Sequence, residues 1–266
     1  MNKKKYRLLA VSLALAAVVC AGVGVRHYMR EQRAGEEYEQ LKEEVEAPEP
    51  EKAPPEKESE VPEPEPEPEK EPVEIPVDFA ALQEQNPDVY AWICVPGTEI
   101  DYPILQSEED NGYYLTHTID GEKTIAGSIY TENYNSKTFD DPNTVIYGHN
   151  MKNGSMFRTL HNYEDKSFFD ENREVRIYLS DAVLTYQIFA AYVYDNRHIL
   201  LNFDFEDADV YQEYLDEIFR IRDVGAHIDT SMEVTADDRI ITLSTCNAGM
   251  ETQRYLVQAV LISIDH

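Results

Sequence analysis

Residues 46–76 read EAPEPEKAPPEKESEVPEPEPEPEKEPVEIP. No packed core can form on such a run. It has almost nothing apolar to bury, and its prolines donate no backbone hydrogen bond. Proline biases the segment toward polyproline II and glutamate repulsion extends it, so at ~3.1 Å per residue it reaches roughly 95 Å. It reads as a semi-rigid spacer, and whatever folds must lie to one side of it.

The N-terminal side has room for little more than a membrane span. Residues 1–7, MNKKKYR, form a basic tail, and 8–25, LLAVSLALAAVVCAGVGV, carry no charge. As a helix rising ~1.5 Å per residue, residues 8–25 span roughly 27 Å, close to the ~30 Å hydrocarbon core of a bilayer. The cationic flank predicts a cytoplasmic N-terminus with the rest of the chain outside. A cleaved signal peptide is the alternative, with VCA at 19–21 as the cut site, but the apolar run is longer than a usual signal core. A lipoprotein site at Cys20 is disfavoured because Val19 before it is not small. Residues 26–45 are polar and charged, so 26–76 together read as stalk and spacer.

The C-terminal side, 77–266, is the expected domain. Eight segments read as strands: VYAWICV, IDYPIL, GSIYTE, NTVIYGH, REVRIYL, LTYQIFAAYVY, DRIITLSTC and RYLVQAVLISI. DFAALQEQN predicts a short helix with Asp78 as its cap. A later helix is predicted over 207–222, where Val210, Tyr211, Tyr214, Leu215, Ile218 and Phe219 recur at helical spacing, with acids at its start and arginines at its end. Many strands, one or two helices and no strand–helix alternation predict a mainly β barrel or sandwich.

Charge then excludes function classes. Residues 1–30 hold six basic and no acidic side chains, and 31–75 hold 18 acidic and five basic. The remainder holds 34 acidic against 12 basic, a net −22 within a total of −29. A domain this negative is repelled by nucleic acid and by anionic headgroups. No Cys/His cluster has metal-ligand spacing and the acids are too diffuse for a calcium site, so neither metal nor cofactor is expected.

Three cysteines make no disulfide framework. Cys20 lies in the apolar segment, and Cys94, in YAWICVPG, reads as a small core hydrophobe. Cys246 is different: the run RIITLST delivers it to a strand end, and Arg254 opens the next apolar run. If 239–246 and 254–263 pair as antiparallel neighbours, Cys246 and Arg254 flank one turn on strands ~4.8 Å apart. Alternation puts Ile241, Leu243 and Thr245 on one face and Ile240, Thr242, Ser244 and Cys246 on the other. Cysteine chemistry also needs a proton carrier and a holder for the oxyanion. Of the histidines, His149 alone follows an apolar strand as Cys246 does. His27 adjoins the apolar segment, His266 is terminal, His117, His161 and His227 lie in polar or turn-rich surroundings, and His198, in NRHILLNF, precedes the late helix.

YGHNM, TLSTC 97 residues after its histidine and an arginine eight beyond the cysteine together resemble a sortase, specifically class B. The resemblance covers nearly all of 77–266, including DVYAWICVPGTEIDYPILQ, DNGYYLTH, GSIYTENYN, YGHNMKNGSMFRTL and VYQEYLDEIF. It implies an eight-stranded β-barrel with an N-terminal helix and another helix before the cysteine-bearing strand. It further implies a cysteine transpeptidase at the Gram-positive surface. Cys246 would attack the threonine carbonyl of a C-terminal sorting motif, His149 would shuttle the proton, and Arg254 would hold the substrate carbonyl or oxyanion. Asn111, Leu115 and Ser244 match family contacts to the sorting peptide, as does Ile199, where His198 replaces the tyrosine of the usual Tyr-Ile pair. The implied partners are sorting-motif surface proteins and a peptidoglycan-precursor or pilin amine. Some relatives carry an acid two residues after the cysteine; Ala248 excludes that here. A caspase-like site would need its histidine about 50 residues upstream on an α/β fold, and an L,D-transpeptidase would have its arginine much closer to the cysteine. A wall-facing scaffold explains the anchor and spacer but not three reactive residues at strand ends.

Overall fold

The computed structural model describes residues 73–266 apart from Ala248 and Glu251, together with Val25, Met29, Gln40 and Leu41. The expected basic tail, nearly all of the apolar span with Cys20, and most of the stalk and spacer lie outside the described residues. Among the described residues no helix is long and apolar enough to cross a membrane.

Helix α1, Phe79–Gln85, starts where the sequence places it: the Asp78 carboxylate accepts from the Ala81 amide at 3.0 Å, and Phe79 and Leu82 are buried. Then come β1 (Val89–Cys94), β2 (Asp101–Leu105), β3 (Ile129–Thr131), β4 (Asn143–Tyr147), β5 (Glu174–Tyr178) and β6 (Val183–Asp195). All are among the eight predicted segments, as are β8 (Ile240–Cys246) and β9 (Gln253–Asp265). The two-residue β7, His227–Ile228, is additional. It is too short to show alternation.

The strand order is β5-β1-β2-β3-β4-β8-β9-β6, and β6 pairs back to β5, so eight strands close into a barrel. Strand β7 lies outside the ring, on the far half of β6. Register shifts at Thr185/Tyr186 and Ile188/Ala190 bend β6, letting one long strand serve both β5 and β7. Two pairs, β2–β3 and β4–β8, are parallel.

Two cores follow from alternation along β8 and β9. Ile241, Leu243, Tyr255, Val257 and Ala259 point into the barrel, while Ile240, Leu256 and Val260 point outward. The outward set packs under helix α4, Ala208–Arg220; the four-residue α3 (Ile199–Asn202) and α2 (Lys166–Glu171) precede it in the chain. Helix α4 forms as predicted. Asp207 caps the Asp209 and Val210 amides, and Tyr211, Tyr214, Leu215 and Ile218 form its buried stripe. Buried Gln258 pins the helix to the wall. Its amide donates to Tyr214 Oη at 2.7 Å and Thr242 Oγ1 at 2.9 Å, and its oxygen accepts from Tyr192 at 3.0 Å. Every hydrogen-bonding role at that side chain inside the wall is thereby matched.

Candidate active site

Strands β4, β8 and β9 are neighbours, and this adjacency builds the site. Cys246 and Arg254 are register partners, so the expected hairpin arrangement holds. Tyr147 on β4 is the partner of Ser244, and the Gly148 amide donates to the Ser244 carbonyl at 3.1 Å. Extended by two residues past its last pair, that parallel register would bring His149 level with Cys246, so that the three residues would fall in one row across strands spaced ~4.8 Å apart. Cys246 is exposed and its thiol is free.

His149 can sit there only because Gly148 precedes it. A Cβ on Gly148 would come within 2.5 Å of Ile129 Cδ1 and 2.6 Å of Phe157 Cγ, and Phe157 is fully buried. Gly148→Ala is therefore expected to lower stability by about 1–3 kcal/mol, the usual scale for overpacking. Urea denaturation checks this: the midpoint should fall at unchanged slope.

The β2–β3 connection brings up the other wall. Its 3₁₀ turn, Tyr113–Leu115, presents the Leu115 carbonyl to His149 Nε2 at 2.7 Å. A carbonyl only accepts, so Nε2 carries the proton. Gly127, at φ +55°, lets the chain pass this turn: a Cβ there would lie 2.5 Å from the Tyr114 carbonyl oxygen and 2.6 Å from that of Leu115.

Arg254 is half-buried and one guanidinium nitrogen donates to the Gln253 carbonyl at 3.0 Å. Beside it stand Tyr130 and Tyr147, their rings stacked with centroids 5.4 Å apart. Burial first, and then the Glu132 carboxylate, push both phenols well above the ordinary tyrosine range, while the Arg254 guanidinium works in the opposite direction. Glu132 accepts from Tyr147 at 3.3 Å and pairs with His198 Nε2 at 2.6 Å. A carboxylate thus lies on the arginine's side of the row.

The remaining sequence-predicted residues are distributed unevenly. Ser244 shares the face of Cys246, as alternation requires, and is 5% exposed. Leu115 is exposed at 43%, and the Asn111 carboxamide oxygen accepts from the Asn133 amide at 2.7 Å, tying two loops together. Ile199 is 4% exposed and packs in the outer core. Cys94, read as a core hydrophobe, is half-buried.

Sequence reasoning missed residues under the row. Asn150 Nδ2 donates to the Cys246 carbonyl at 2.9 Å, and His161 Nε2 lies 3.1 Å from the same oxygen. Asn150 directly follows His149 and was legible as a neighbour. His161 is 85 residues from Cys246 and has no local signal.

Sequence comparison agrees with this geometry. A sortase-domain family model matches residues 93–262. The chain is 36% identical over 192 residues to sortase B of Listeria monocytogenes, spanning 71% of this chain and 76% of that protein. Among solved structures, it is similar to sortase B from B. anthracis in complex with AAEK1 (34% identity, 73% of this chain, 88% of that chain, TM-score 0.63). It is also similar to the Staphylococcus aureus sortase B–substrate complex (34% identity, 70% of this chain, 84% of that chain, TM-score 0.61). A closed eight-stranded barrel and a match across most of its length leave the scaffold reading without support: the chain belongs to the sortase family, in its class B branch, and is a cysteine transpeptidase.

Proposed function

We propose that this chain cleaves a sorting motif after threonine and transfers the acyl part to an amine, with Cys246, His149 and Arg254 as its catalytic residues. The single observation that carries the assignment is that Cys246 and Arg254 are register partners on β8 and β9, with β4, which leads to His149, paired along the other edge of β8. The Cys246 thiol passes its proton to His149, and the thiolate attacks the threonine carbonyl carbon as the carbonyl electrons move to oxygen. Arg254 donates hydrogen bonds to that oxyanion. The carbon–nitrogen bond then breaks, His149 gives its proton to the leaving amine, and a thioester remains. An incoming amine attacks the thioester, His149 takes its proton, and the thiolate departs. With water as acceptor the same intermediate is hydrolysed, which is the thiol-peptidase face of the chemistry.

The groove for the peptide is read as the space between the Tyr113–Leu115 turn and the β6–α3 connection. Exposed Leu115 and the carboxamide of Asn111 would line one side. Ser244 would form the floor, and Ile199 would contribute from within the opposite wall. One of the similar solved structures is a sortase B–substrate complex, which supports a peptide substrate here. The acceptor is an amine of a peptidoglycan precursor or of a pilin. The test is a library of Asn-Pro-Xaa-Thr peptides and other motifs incubated with the protein, followed by mass analysis. A covalent adduct on the Cys246 peptide, released by an added amine, is the expected result. Absence of any adduct across the library would overturn the reading.

The domain 77–266 works outside the cell on a spacer, 26–76, tethered by an anchor over 8–25 with the basic tail 1–7 inside. The charge asymmetry and the uncharged run support this orientation. Protease added to intact protoplasts is expected to clip the spacer and release the domain; a fully protected domain would reverse the topology.

A further inference from the structure

The row of three leaves unexplained what holds its middle member. In the parallel β4–β8 ladder the Gly148 amide bonds the Ser244 carbonyl. The next rung would bring the Asn150 amide to the Cys246 carbonyl. The Asn150 backbone instead forms an isolated bridge with Met156, at the entry to a 3₁₀ segment, Phe157–Glu164. Its side chain reaches the orphaned carbonyl in place of the backbone, Nδ2 to oxygen at 2.9 Å.

This amide is held from two sides. Arg158 donates to Asn150 Oδ1 at 3.1 Å, which fixes which end of the carboxamide faces Cys246. Nδ2 also lies 2.9 Å from His161 Nε2. His161 Nδ1 lies 2.6 Å from the Glu164 carboxylate, which can only accept, so Nδ1 bears a proton, and Nε2 lies 3.1 Å from the Cys246 carbonyl oxygen. The ring is stacked on Tyr255, next in sequence to Arg254, with centroids 4.8 Å apart, and its side chain is 10% exposed. The bonding capacity of Asn150 is thus spent on one backbone oxygen and the group that orients it.

We propose that Asn150 and His161, with Arg158 and Glu164 behind them, form a positioning clamp on the Cys246 carbonyl. The clamp sets where the sulfur sits relative to His149 and Arg254. The four act through the Cys246 carbonyl and are positioning residues. The inference rests on Cys246 being the nucleophile. Misplacing a reacting atom by about 1 Å costs on the order of 10²-fold in rate, so a clamp of this kind is expected to appear in kcat.

The test uses the full-length chain, with the peptide that acylates Cys246 in the library experiment, and compares Asn150→Asp, His161→Ala, Glu164→Ala and Glu164→Gln. Asn150→Asp keeps size and the Arg158 contact but loses both donors. Glu164→Gln keeps an acceptor for Nδ1, and Glu164 is exposed enough that its variants should fold. The expected result is a fall of about tenfold or more in kcat for the first three, KM within about twofold, and near-wild-type turnover for Glu164→Gln. A substrate-independent arm follows amide hydrogen exchange over residues 247–253, which should accelerate in the same three variants without a matching drop in global melting temperature. Unchanged kcat and unchanged exchange in both Asn150→Asp and His161→Ala would overturn the clamp. So would a loss confined to KM. A Cys246→Ala protein that still turned over peptide would instead remove the nucleophile assignment on which the clamp depends.

Discussion

Cys246→Ala is expected to abolish transfer, a loss on the order of 10⁶-fold, the scale of deleting a covalent nucleophile, while the protein folds as before. The side chain is exposed at the end of β8, so truncation leaves no cavity. The comparison thiol is Cys94, at the end of β1 and paired with Asp101 and Arg176. It is half-buried in a strand, where valine is well tolerated. Cys94→Val should therefore retain most activity. Steady-state transfer and thermal melting of the two variants decide the matter, and an active Cys246→Ala protein would end the transpeptidase mechanism given above.

The second large effect is expected at Arg254, where lysine should not substitute. A guanidinium presents several donors in a rigid planar fork, whereas an ammonium of equal charge on a flexible stem must find the oxyanion anew in each turnover. Losing one oxyanion donor typically costs about 10²–10³-fold, or roughly 3–4 kcal/mol. Arg254→Lys should fold normally and lose at least about tenfold in kcat/KM, and Arg254→Ala should approach the full loss. The surroundings sharpen the expectation. Glu132, Tyr130 and Tyr147 crowd the same side of the row, so a lysine ammonium would have the Glu132 carboxylate as a competing partner. Near-wild-type turnover by the lysine variant would leave Arg254 an electrostatic role at most.

The strands were legible because most of them carry apolar side chains on both faces. Ile240 and Ile241 serve different cores, and both had to be apolar. Helix α4 was legible because Asp207 and the 211, 214, 215, 218 stripe are local signals. The same kind of cap, Asp165 accepting from the Ser167 and Phe168 amides, marks α2, yet that helix is too short for a periodic stripe to stand out. Hydrogen bonds from Ser167 and from the Phe168 and Ser167 amides hold the Asp165 carboxyl below its usual range. Cys246, His149 and Arg254 could be picked out because each sits at a strand end visible in one dimension. His161 could not, because its importance comes from a contact across 85 residues and from stacking on Tyr255. Ile199 carried a family expectation of peptide contact, and only the three-dimensional packing shows how deeply it lies in the outer core.

The parallel seam between β4 and β8 also bears on how the protein is made. Cys246 and Arg254 belong to one hairpin, and hairpins close in about 1–10 μs. The β4–β8 pairing that carries His149 toward Cys246 spans 97 residues, as from Tyr147 to Ser244, and closing so long a loop costs about 2 kcal/mol more entropy than closing a ten-residue one. Contacts of such long range slow folding and must be stabilised by structure already formed. A nascent chain that has formed only its hairpins holds the thiol beside the arginine and lacks the imidazole. If His149 serves the thiol as proposed, proton transfer is thereby tied to completion of the barrel, and a partly threaded chain would keep its cysteine without the group that would put it to work.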